Sequence, residues 1–262
     1  MKLICSFLLA FMLVLPFHMN GQANASDSKV ADTINKTDAN GDKTGFWIEK
    51  SNDITFKGEY VANKKVKNWI GLYSNNVVAR IDYYTNGLKD GIAVQVDRKN
   101  KITLVENFKH GLLHGQVISY SQFTESPVTE AEYANGKKTG LYRQYYDNGK
   151  IQEETWFKDD LKAGLSRWNN KNGQRLAEYN YKANNFDGLQ KTFYENDSIQ
   201  TINHFKDNVL SGEIREYYRN GKLKLTGNYL NGLKDGTFTE YNELGKVEKV
   251  TRFKNGEETV KK

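Results

Sequence analysis

Five oxygen-bearing side chains near the N-terminus, Asp38, Asn40, Asp42, Thr44 and Glu49, fall at positions 1, 3, 5, 7 and 12 of a calcium-loop spacing. Such a loop needs glycine at its sixth position and helices on either side. This chain has Lys43 there, and no helical period flanks it. The stretch NGDKTGFW reads instead as a turn that returns further on as NGKKTGLY. His110 and His114, four apart, would meet on one metal if a helix carried them. They sit in FKHGLLHG, which is turn sequence between strands, so the spacing loses that meaning, and His204 stands alone. The one cysteine, Cys5, lies in the N-terminal apolar segment, so the remaining chain has no disulfide, thiolate nucleophile or cysteine ligand. No glycine-rich phosphate loop opens a helix, no nucleophile elbow is found, and the carboxylates are scattered. The sequence therefore predicts a non-enzymatic protein with no metal and no cofactor.

What remains is surface chemistry. Trp47, Trp69, Trp156 and Trp168, with the pairs Tyr145-Tyr146 and Tyr217-Tyr218, have the flat amphipathic rings that stack on sugars or anchor a protein partner. Most of them recur at repeated positions, which suits sheet packing. Trp168 breaks its column and is a candidate partner contact. Phe123 and Pro127 are two more, because they lie in SYSQFTESPVTEAEY, the longest connection in the chain. Insertions in repeat proteins map to loops, often on a binding face.

The elements that must position these residues follow a period. Nine aromatics, Tyr60, Tyr84, Phe108, Tyr133, Phe157, Tyr181, Phe205, Tyr229 and Phe253, are 24 residues apart, apart from one interval of 25. A second series runs Gly45, Asn68, Gly91, Gly115, Gly140, Gly164, Gly188, Gly212 and Gly236, with Asn68 in the place of a glycine. Between these markers lie runs of strand length, rich in Tyr, Phe, Ile, Val and Thr and closed by Asn-Gly pairs such as Asn135-Gly136 and Asn231-Gly232. Asn and Gly tolerate positive φ, so this is a hairpin signal. No run reaches the 10–12 residues a helix needs.

Three columns follow. Six residues before the ladder stand Ile54, Val78, Ile102, Pro127, Ile151, Arg175, Ile199, Leu223 and Val247, mostly aliphatic and expected to share its face. The first strands carry Tyr73, Tyr120, Tyr145, Phe193, Tyr217 and Tyr241. At the opposite parity stand Trp47, Ile70, Val117, Tyr142, Ile214 and Phe238, which implies either two partly covered faces or a bulge that switches parity. The expectation is an all-β, elongated, twisted antiparallel meander of about nine hairpins in a single layer, with the ladder as its buried seam. Each hairpin would bury its apolar face only against its neighbours.

Residues 1–25 read as a signal peptide: Lys2, an apolar run from Leu3 to Phe17, then the small residues of GQANA, with cleavage after Ala23 or Ala25. The run is shorter than the roughly 20 residues a spanning helix needs. Export to the periplasm, cell surface or medium is expected. Residues 26–42 read as a flexible polar leader and 43–262 as the repeat domain. The formal charge of +6 comes from lysines spread among turns, such as Lys64, Lys137, Lys158 and Lys234, which argues for solubility and against a nucleic-acid groove.

The pattern xNGxxxGxxxxYYxNG, clearest from Asn135-Gly136-Lys137-Lys138-Thr139-Gly140 to Tyr145-Tyr146-Asp147-Asn148-Gly149, resembles the bacterial MORN-variant repeat. Such arrays occur in YwqK-family antitoxin-like proteins, and the resemblance covers about Lys43 to Gly256. It implies a β-meander engaged in protein association or toxin neutralisation. The expected function is an extracytoplasmic scaffold that binds a protein or envelope component through a sheet face. An antitoxin or immunity protein, and a module that binds acidic lipid at a membrane surface, are the alternatives. The sequence leaves the oligomeric state open.

Overall fold

The computed structural model describes residues 33–259. The chain divides into two units, Met1–Ile34 and Asn35–Lys262, and the second holds the sheet. The signal-peptide segment lies outside the described residues. Every described element is a strand, and successive hairpin arms pair antiparallel in one open sheet of 24 strands, the two pieces of a split arm sharing one partner strand. Nine second strands carry the ladder, from Ile54–Val61 to Val247–Lys254. Nine first strands precede them, and four of these are split by one residue, as in Leu233–Lys234 and Gly236–Tyr241. The sheet starts earlier than the sequence suggests: Lys36 and Thr37 pair with Thr44 and Lys43, so the end of the supposed flexible leader is a hairpin.

The two kinds of turn explain the spacing. Two-residue turns such as Asn135-Gly136 and Asp159-Asp160 hold both central residues at positive φ, for example +51° and +68° at Asp159 and Asp160. That is the twist a tight hairpin requires. The second turn residue also donates its N–H to the preceding hairpin, as in Asp160 to the Lys138 carbonyl at 2.9 Å. At the other ends of the strands, five-residue turns close on themselves, with Tyr146 N–H donating to Lys150 O and Gly149 N–H to Tyr146 O, both 2.8 Å.

The recurring glycine is a bulge. In Lys137–Tyr145 the register slips between Ala131 and Glu132, which face Tyr142 and Thr139 and leave Gly140, at φ +67°, unpaired on that side. A glycine held in this region is what such a bulge demands. The bulge decides the parity question: two residues beyond it the side chain turns to the ladder's face. In the second repeat the bulge residue is Lys67, at φ +59° and paired with Tyr84, so Asn68 is not the glycine's replacement. The residue two further on is Trp69, 1% exposed, whereas Ile70 points to the other face and is exposed. Tyr73, likewise, belongs with Tyr146, Tyr194 and Tyr218, not with Tyr120 and Tyr145.

The core is accordingly one column on one face. Across neighbouring strands it includes the pairs Trp47 with Gly58, Tyr142 with Ala131 on one side and Thr155 on the other, Ser166 with Tyr179, and Phe238 with Thr251. Large residues stand beside small ones. A Cβ on Gly58 would fall inside the Trp69 ring, and one on Gly227 inside that of Phe238. The ladder flanks this column with edge-to-face contacts, including Tyr60–Trp69 at 5.1 Å and Phe238–Phe253 at 5.2 Å. With no second layer above it among the described residues, the ladder is half-buried, and only Tyr60 is fully buried. The column six residues before the ladder is wetter than its parity predicts: Ile102 and Val247 are exposed. A further slip, between Gln144 and Tyr145 and its counterparts, interrupts the alternation there.

Candidate functional site

The ladder face carries a row of lysines two residues before the bulge. Lys43, Lys65, Lys89, Lys138, Lys162 and Lys234 all stand over its rings. Lys65 lies 3.8 Å from the Trp69 ring centroid, Lys138 4.7 Å from Tyr142 and 4.8 Å from Phe157, and Lys234 4.9 Å from Phe238 and 4.8 Å from Phe253. Each is a cation–π contact on a ring whose edges are already packed. Successive hairpins place these ammonium groups about 10 Å apart, two strand spacings. Leu113, Phe186 and Leu210 take the position in the other three repeats. Lys234, which the sequence places among the turn lysines, is thus part of the face.

In the first repeats the row is tied to carboxylates. Glu49 accepts hydrogen bonds from Lys43 Nζ and the Tyr60 hydroxyl, both 2.8 Å, and pairs with Lys65 Nζ at 3.1 Å. Desolvation raises the Glu49 pKa, but these three donors outweigh it and hold the carboxyl at about 2. The Tyr60 hydroxyl is pushed the other way, by burial and by the carboxylate beside it. Next along, Arg80 pairs with buried Asp82 at 2.7 Å and with Glu106 at 2.8 Å, and Lys89 reaches Asp82 at 2.9 Å. Glu49, Phe56, Lys65, Arg80, Tyr84 and Lys89 line an open concavity of about 670 Å³. Lys138 and Lys234 have no ion-pair partner among the described residues.

Trp168 turns onto this same face. Its strand carries Ser166, fully buried, where the neighbouring repeat carries Tyr142, and Lys162 leans toward Trp168 at 5.4 Å and Tyr181 at 5.3 Å. Beside it Thr155 donates to Glu153 at 2.7 Å and shares a short hydrogen bond with Ser166. Trp168 therefore supplies the ring that its column lacks, and its Nε1 makes no hydrogen bond. In the next repeat Gln190 leaves a similar gap, and Phe186 fills it, 5.0 Å from Tyr181 and 5.6 Å from Phe205.

Phe123 is 90% exposed in the turn spanning residues 121–126, which is one residue longer than its counterparts and closes through Ser121 N–H to Ser126 O at 2.9 Å. Pro127 opens the following strand, half-buried and opposite Tyr120. Strands Lys137–Tyr145 and Ile151–Lys158 intervene before Trp168, so the three candidates do not form one site. Around Asp38 the carboxylate caps its own turn, accepting from Asn40 N–H at 2.9 Å and Asp42 N–H at 3.0 Å. Among the described residues no three His, Cys, Asp or Glu side chains are grouped to hold a metal ion.

The opposite face has its own column, which the sequence reading missed. Across consecutive strands it runs Ile70, Ile81, Val94, Val105 and Ile118, then Glu130, Arg143, Glu154, Arg167, Glu178 and Lys191. Arg143 reaches Glu154 at 2.9 Å and Glu130 at 3.7 Å, and Arg167 reaches Glu154 at 3.4 Å and Glu178 at 3.6 Å. Burial first, and then Glu130, push the Tyr145 hydroxyl up to about 12. The signal was present in the sequence, three residues after each bulge residue and three before each ladder aromatic, but it becomes visible only when the bulge fixes which strand positions are neighbours.

A sheet of near-identical hairpins with two chemically distinct faces defines a β-hairpin repeat array. Four of its hairpins, residues 138–159, 186–207, 210–231 and 234–255, match the family model of the MORN repeat variant. Each match starts at the position that carries the lysine row and ends at a two-residue turn, so the family's unit and the structural hairpin coincide. No curated protein matches the chain.

Proposed function

We propose that the chain is a non-enzymatic scaffold that binds an acidic protein or envelope component outside the cytoplasm through its ladder face. The observation that carries this reading is the lysine row. Cations fixed over rings on six of the nine hairpins are already partly desolvated and ordered, so a partner pays little entropy to meet them. The MORN repeat, a unit generally used for binding and not for catalysis, supports the same reading. Export is supported by the N-terminal sequence.

The test is affinity capture from the native cell's envelope extract, using wild type and a Lys138→Glu/Lys234→Glu variant shown by circular dichroism to be folded. Capture of a common partner by wild type, lost in the variant and weakened by salt, is the expected result. Equal capture by both would end the ladder-face reading. Recovery of one stoichiometric toxin whose activity is blocked would favour neutralisation instead.

A further inference from the structure

The charged column on the opposite face alternates in sign over six strands: Glu130, Arg143, Glu154, Arg167, Glu178, Lys191. Three acids and three bases make the strip neutral, and reversing its order exchanges every sign. The midpoint lies between Ile151–Lys158 and Leu161–Asn169. On the same face and at the same midpoint stands Trp156, half exposed, opposite the bulge that carries Leu165. An exposed tryptophan beside a strip of paired charges is the composition of an interface centre with a polar surround.

We propose that a second copy of this chain docks face to face on this surface, about a twofold axis running along the strands between Trp156 and Leu165. The rotation reverses strand order and keeps strand direction. Glu154 then faces Arg167 of the other copy, Arg143 faces Glu178 and Glu130 faces Lys191, each contact made twice. Trp156 lies over Leu165 of the other copy, twice, at the axis. Sheets packed this way stand about 10 Å apart, a gap that Glu and Arg side chains span from both sides. A twofold contact must be self-complementary, and a sign-alternating strip of even length satisfies that condition. The lysine row stays on the outer faces of the pair.

The experiment is sedimentation velocity on the full chain, with Glu154→Arg, Arg167→Glu and Trp156→Ser variants. Wild type should sediment as a dimer at tens of micromolar, and each variant should dissociate at least tenfold more readily. Mixing Glu154→Arg with Arg167→Glu should restore dimers. In the mixed pair one contact joins the two substituted side chains, with their signs exchanged, and its symmetry mate joins the two native ones. A fold defect within one chain cannot be repaired by mixing, so restoration isolates the intermolecular contact. A monomeric wild type, no restoration on mixing folded variants, or a Trp156→Ser variant as dimeric as wild type would overturn the proposal. If either charge variant proves unfolded, the Trp156→Ser result decides alone.

Discussion

The Tyr146 hydroxyl donates a 2.9 Å hydrogen bond to the backbone carbonyl of Asn169, one hairpin further along the sheet. Tyr73 does the same to Val96, Tyr194 to Tyr217 and Tyr218 to Tyr241, at 3.0, 2.8 and 2.7 Å. Repeats without this tyrosine use the position differently. Asp97, Asn170 and Asn242 turn their side-chain oxygen onto their own turn, as in Asn242 accepting from Leu244 N–H at 3.1 Å and Lys246 N–H at 3.0 Å. One position thus either clasps the next hairpin or caps its own turn. Tyr218→Phe should cost about 1 kcal/mol, the net worth of one hydrogen bond, and Asn242→Ala a similar amount through its lost turn bonds. Urea unfolding of the two variants checks both; unchanged midpoints would show that water replaces these bonds without loss.

Packing in the core column depends on size alternation, which makes Gly227 sensitive for a reason that is not conformational. Its own φ does not call for glycine, but a Cβ there would enter the Phe238 ring. Overpacking of this kind costs about 1–3 kcal/mol. Gly227→Ala should lower the thermal midpoint, and adding Phe238→Leu should recover part of the loss. Gly149→Ala meets open space, and its cost would come only from the left-handed φ of +78°. The double variant therefore separates crowding from backbone strain.

How much of this was legible without coordinates depends on whether a feature repeats locally or across strands. The ladder, the turns and the count of nine hairpins are local patterns, and the sequence states them. Trp69 against Ile70 was not legible, because a positive-φ lysine at position 67 hides a bulge that glycine announces elsewhere. Trp168 stands out as irregular in the sequence, yet its role as a substitute ring depends on Ser166 being small two residues earlier and on Lys162 reaching its ring. The charge strip from Glu130 to Lys191 lies in no contiguous stretch at all. It exists only in the register between strands.

Glu49 gives the N-terminal repeats a pH dependence with a defined sign. Its folded pKa of about 2 lies below the ordinary 4.5, so the ionised form is favoured by folding. The contribution is fully present above pH 4.5 and is lost as pH falls from there toward 2. Because the carboxylate is partly solvated, screening reduces its worth to about 1 kcal/mol. Glu49→Gln should destabilise at neutral pH and converge with wild type near the folded pKa of about 2. Hydrogen exchange of the Trp47 and Tyr60 amides against pH reads this locally, and parallel profiles for the two proteins would remove Glu49 as the cause.

Removal of whole repeats should succeed or fail according to which side chains meet at the new junction. Deleting residues 165–188 joins Gly164 to Leu189 in phase and lays Gln190 over Thr155 in place of Ser166, a modest change in volume. Deleting residues 213–236 joins Gly212 to Thr237 in equally good phase, but brings Phe238, which packs flat on Gly227, against Asn203. Both proteins keep the same number of turns and the same sheet order, so a purely additive stack would make them equally stable. Size alternation makes the second weaker by roughly the 1–3 kcal/mol of an overpacked site. Denaturant unfolding followed by circular dichroism distinguishes the two cases. Equal midpoints would mean that neighbouring hairpins accept any partner, and an unfolded first variant would mean that stability is not passed from neighbour to neighbour.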